Sequence, residues 1–174
     1  DRGLVGSEMC IRDRLSSACQ RDRLPDPFNK IIDYHAAVFA AENSHYYGPF
    51  LDNHSELLSE KLRDRLIVSK TTLASEYIAA LNARDKIYHS LEALLDDYDA
   101  VLCLAATGAA PIGFETTGSA IFNGLWTYLG VPCLSLPLLT TEKMPLGLQL
   151  VGKRGDERKL FETANWIENH LKAS

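Results

Sequence analysis

The sequence predicts an α/β fold, and three observations carry that prediction. The uninterrupted apolar run from Ala100 to Ala105 suits a strand buried on both faces of a helix-covered sheet. Leu134, Leu136 and Leu138 alternate with Cys133, Ser135 and Pro137, while Leu146, Leu148 and Leu150 alternate with Gly147, Gln149 and Val151, the period of two that strands show. Around these runs apolar residues recur in steps of three and four, the spacing of helices. Strands that alternate with helices place the chain in the α/β class.

Taken in order, residues 1–24 mix Arg12, Arg14, Arg21 and Arg23 with Asp13 and Asp22 and show no sustained periodicity. Asp26 is placed to cap a helix whose first turn holds Pro27, with Phe28, Ile31, Ile32, His35, Val38 and Phe39 as its apolar face. Asn43 to Pro49 reads as a loop. Ser55 to Leu66 predicts a short charged helix with Leu57, Leu58, Leu62 and Leu66 among mixed charges. A long helix is expected from about Lys70 to Leu95, with Leu73, Tyr77, Leu81, Arg84, Tyr88, Leu91 and Leu95 stepping by three or four. Thr107 to Gly118, rich in Gly, Ala, Pro and Thr, is a loop after the first strand, and its glycines are too scattered for a phosphate loop.

The chain is organised around Thr116 to Arg154. Ile121, Phe122, Leu125, Trp126 and Leu129 predict a helix of about three turns, N-capped by Ser119 and ended by Gly130 and Pro132. Two strands follow, joined by a hairpin connection over Thr140 to Pro145. Gly152, Gly155 and Asp156 then form a turn and cap, and the last helix presents Leu160, Ala164, Ile167 and Leu171 on one face.

Composition narrows the function classes. The chain has 174 residues, 46% of them hydrophobic, which suffices for a buried core. Its net charge of -5 argues against a dominant nucleic-acid or acidic-membrane surface. Cys10, Cys19, Cys103 and Cys133 have no metal-finger spacing, and the five histidines are dispersed, so neither a metal nor another cofactor is expected. The absence of an apolar run of membrane length, together with reduced thiols, gives a cytoplasmic expectation.

The motifs TGSAIFNGLWTYLGVPCLSLPL and MPLGLQLVGKRGDERKL resemble the C-terminal part of the amidase signature family, serine hydrolases that cleave carboxamides. The resemblance runs over about residues 26–172, and ASEYIAALNARDKI is similar to the family's long helix across the sheet. It implies a mixed β-sheet flanked by α-helices, incomplete in this chain, and a division into a non-family segment at 1–24 and the C-terminal part of an amidase domain at 25–174. The peptide GLVGSEMCIRDR resembles translated sequencing-adapter read-through, so 1–24 is expected to be artefactual or disordered. The family's strand continues into Thr-Pro, where this chain has Leu104, Ala105 and Ala106.

Members of that family use a serine nucleophile, a second serine in a cis peptide and a lysine, with the nucleophile in a Gly- and Ser-rich signature. Nothing here resembles Gly-Gly-Ser-Ser-Gly-Gly-Ser, so the catalytic residues expected in this chain are none. Lys70 is expected to be a solvated lysine, and Ser119 and Ser135 a cap and a strand residue. Phe122 and Trp126 are the candidate substrate contacts, weighed against a plain core role. Asn123 is expected to satisfy local backbone groups, and His35 to be a half-buried core histidine. The implied partner is a small amide, in an enzyme whose assembly as a homodimer is left open. A non-catalytic module that pairs with another chain is the alternative.

Overall fold

The computed structural model describes Leu15 and residues 18–173, without the side chains of 172 and 173. GLVGSEMCIRDR lies outside the described residues. Within them the chain divides into two compact units, one formed by Asp26–His89 and the other by the described residues up to Pro25 together with residues 90–173.

The first unit is helical. Asp26–Lys30 forms a single 3-10 turn, and α1 follows as Ile31–Asn53. Asp26 therefore starts a 3-10 turn and not an α-helix, a common prelude to a helix when proline fixes the first φ. Of the expected apolar face, Phe28, Ile31 and Val38 are buried, while Ile32 and Phe39 are 52% and 47% exposed. The loop expected at Asn43–Pro49 is absent, because α1 runs straight through Gly48 and Pro49. Pro49 forfeits one helical hydrogen bond. Gly48 is buried, with Lys70 Cε 3.6 Å from where a Cβ would stand, and α1 packs along α2. That packing outweighs the local breakers.

The charged helix begins later than its pattern suggests. Ser55–Leu57 is an isolated 3-10 turn, and α2 spans Glu60–Ser69 with Ser59 as N-cap, its Oγ accepting from Leu62 N. Leu57 is left 76% exposed, whereas Leu66 is fully buried. Lys70 lies just beyond α2, paired with Asp52. The long helix α3 is Ala74–Asp97, opening where the Glu76 carboxylate accepts from Leu73 N at 3.0 Å.

In the second unit, β1 (Val101–Leu104), β2 (Cys133–Thr141) and β3 (Met144–Val151) form a sheet in the order β1-β3-β2, with α4 (Ile121–Leu129) and α5 (Glu157–Ala173) in the same unit. Both pairings are antiparallel. β1 is an edge strand here, which is why Val101, Leu102 and Cys103 are half-buried and not covered on both faces as the apolar run predicted. The hairpin is tighter than expected. Only Glu142 and Lys143 form its loop, both at positive φ (50° and 65°), the geometry that matches strand twist.

A bulge between Leu136 and Leu139 corrects the alternation in β2. Beyond it Leu139 turns inward, and Leu138 is only half-buried. Pro137, which lacks an N–H, sits within this irregularity on the edge strand.

Residues paired across strands share a face. One face therefore carries Leu102, Leu104, Leu134, Leu136, Leu139, Leu146, Leu148 and Leu150, and α5 covers it with Leu160, Ala164, Ile167 and Leu171. Leu15 is buried in the same core and Cys19 packs against it, although both belong to the segment set apart on sequence. The opposite face carries Val101, Cys103, Cys133, Ser135, Gly147, Gln149 and Val151.

Candidate functional site

The polar face is where chemistry-bearing side chains meet. Cys103, Gln149 and Ser135 stand in line across the three strands. Gln149 is 6% exposed, one of two buried polar residues in the chain's described part. Its carboxamide is held at both ends, since Cys103 Sγ donates to Oε1 at 3.4 Å and Nε2 donates to Asn123 Oδ1 at 2.8 Å. Asn123 Nδ2 in turn donates to Ala105 O at 3.2 Å, joining α4 to the end of β1. Ala105 N donates to Gly147 O at 2.9 Å.

Gly147 has a steric reason to lack a side chain. A Cβ there would overlap Ser135 Oγ and stand 2.9 Å from Ala105 Cβ. The close approach of β2, β3 and the start of the loop thus depends on glycine.

Helix α4 closes this side of the unit. Ala120 occupies its N-cap position without a side-chain bond, and Ser119 Oγ accepts from Ile121 N at 3.3 Å, so Ser119 assists the first turn from one residue earlier than a cap. Gly130 ends the helix in the left-handed conformation, φ 63°. Arg154 Nε donates to Leu129 O at 2.8 Å, setting a cation against the helix's negative end.

The two aromatic candidates have separate fates. Trp126 is 2% exposed, while Phe122 is half-buried against the apolar core. Ahead of α4, every residue from Pro111 to Ala120 is exposed, and Ile112 and Phe114 stand fully in solvent.

No assembled nucleophile emerges among the described residues. Among the described residues neither the Ser119 nor the Ser135 hydroxyl hydrogen-bonds a lysine or histidine, the partner that a serine nucleophile needs. The Cys133 thiol is pushed up to about 11 by burial first and by Cys103 second, although the residue as a whole is exposed. That direction disfavours a thiolate. Burial lowers the pKa of His35, which stacks on Phe39 at 5.8 Å, as a core histidine would. Among the described residues no group of three His, Cys, Asp or Glu could hold a metal ion, and no helix is long and apolar enough to cross a membrane.

Comparison with known proteins gives these elements a context. A curated relative, a glutamyl-tRNA(Gln) amidotransferase subunit from a Nitratiruptor species, is 30% identical over 77% of this chain and 33% of its own length. A solved amidase superposes at a TM-score of 0.74 with 22% identity, covering 93% of this chain and 40% of that one. A bacterial aryl acylamidase described as a member of the amidase signature enzymes superposes at 0.62 with 13% identity, over 88% of this chain and 38% of its own. The chain belongs to the amidase signature family. No family model matches it. It spans about a third of the length of the curated relative and about two fifths of the solved amidase, so its α/β layers are part of the amidase signature fold.

Sequence reasoning placed Asn123 in a local role and did not single out Gln149. The available signal was a lone carboxamide in the otherwise apolar run Leu146–Val151. A buried amide must find partners.

Proposed function

We propose that this chain is the C-terminal part of an amidase whose serine, serine and lysine lie on residues outside it, and that it is inactive alone. The observation that supports this most is the match over 77% of the chain to only 33% of an amidotransferase subunit, combined with the lack of any Gly- and Ser-rich signature. In the whole enzyme the serine attacks a carboxamide carbon, an acyl-enzyme forms, ammonia or an amine leaves and water releases the acid. Small linear amides are the proposed substrates, and glutamine is included because the curated relative is an amidotransferase subunit.

In that enzyme loop 105–120 and α4 border the substrate funnel. Phe122 is the aromatic proposed to meet substrate or the adjoining part of the domain, since it keeps partial exposure, whereas Trp126 is buried, at 2% exposure. A second reading, an interaction module for another chain, draws on Ile112 and Phe114, which are fully exposed without substrate in play.

A chimera tests the first reading. The segment of the Nitratiruptor protein that matches this chain is replaced by residues 25–174, and ammonia release is followed on glutamine and simple amides. Hydrolysis above that of the same chimera with its signature serine changed to alanine is expected. A soluble, cooperatively folded chimera that hydrolyses nothing contradicts the proposal.

A further inference from the structure

We infer that Gln149 and Asn123 are positioning residues which, through the chain Cys103–Gln149–Asn123–Ala105, hold loop 105–120 in one arrangement by fixing both of its ends. The polarity of the chain is forced. The Cys103 thiol donates to Gln149 Oε1, so the Gln149 amino group must face Asn123. Asn123 therefore offers Oδ1 to Gln149 and its own amino group to Ala105 O. Reversing either amide would set acceptor against acceptor or donor against donor.

The loop needs such an anchor. Gly113 and Gly118 adopt φ of 91° and 87°, residues Pro111 to Ala120 are exposed, and a Cβ on Gly113 would meet nothing within 4 Å. Within the loop Gly118 N donates to Thr116 Oγ1 at 3.1 Å, a bond between near neighbours that does not tie the loop to the sheet. Its first residue, by contrast, is held at both backbone groups, Ala105 N by Gly147 O and Ala105 O by Asn123. Asn123 lies on the first turn of α4, directly after the loop, so one side chain ties the loop's exit to its entrance. The consequence for substrate rests on the proposed funnel, because the side chains the loop would present there, Ile112 and Phe114, follow its anchored ends.

Three variants of the 174-residue chain separate this role from general loosening. Two readouts are followed, chymotryptic cleavage after Phe114 and alkylation of Cys103 by iodoacetamide, the latter located by peptide mass spectrometry. Asn123→Asp keeps the acceptor for Gln149 and removes the donor to Ala105, so cleavage should rise about fivefold, the worth of one hydrogen bond, with Cys103 alkylation unchanged. Gln149→Leu removes both links, and both rates should rise. Should that variant fail to fold, Gln149→Glu keeps the acceptor for Cys103 and should raise cleavage alone. Unchanged cleavage in Asn123→Asp, or both rates rising together in it, overturns the inference. Neither readout depends on amide hydrolysis by this protein, so a failed split removes the positioning role and leaves the amidase proposal intact, whereas an inactive chimera does the reverse.

Discussion

The two faces of one three-stranded sheet solve different problems. The leucine face is built by repetition, with eight leucines from three strands under a helix that supplies Leu160, Ala164, Ile167 and Leu171. Each member is interchangeable in kind, and burial does the stabilising. The opposite face is built from single groups that have no substitute, namely a glycine where strands close up, a carboxamide with directed partners and two thiols. Non-directional packing sets how firmly the sheet holds, and directional bonds set what the loop beside it can present.

The largest effect should come from the leucine face. Leu150 is fully buried near the end of β3, the central strand of the sheet. Leu150→Ala should lower stability by about 2–5 kcal/mol, the range for large-to-small core changes, read as a drop in the urea midpoint. A loss near that of a surface change would mean that the leucine face is not the core.

Gly147→Ala probes the polar face and should cost about 1–3 kcal/mol, as overpacking does. Ser135→Ala in the same protein should restore part of it, since Ser135 Oγ is one of the two atoms in the way. No recovery would place the strain at Ala105 alone.

The smallest effect concerns Cys133. Its folded-state pKa is raised from 9.0 to about 11, by burial first and Cys103 second. A raised pKa means that the unfolded chain releases the proton first, so this contribution is intact below pH 9.0 and declines up to about pH 11. The exposed position of Cys133 keeps the effect small. Urea midpoints near pH 8 and near pH 11 should converge slightly in Cys133→Ser relative to the parent. An identical pH dependence would remove the thiol from the account.

Much of the leucine face was legible because repetition is a periodic signal. All four residues expected on the face of the last helix are buried, and the strands of the hairpin lie where the alternation put them. The bulge was hidden because Leu138 and Leu139 are both leucine, so the pattern could not say which turns inward. The helix across Gly48 and Pro49 was hidden by a different cause, the packing of α1 on α2, which residue preferences do not contain. The polar face was least legible, since its bonds join residues 26 and 46 positions apart and leave no period. Family membership was readable from ordered motifs, while Phe122 and Trp126 could be told apart only by their burial.

Ammonia release by the purified 174-residue protein, over a panel of simple amides and glutamine, tests the central claim most directly, with a Ser119→Ala, Ser135→Ala double variant as control. No hydrolysis above that control is expected if, as proposed, the reacting groups lie outside these residues. Hydrolysis that the double variant abolishes would contradict that proposal and would place a catalytic serine within this chain.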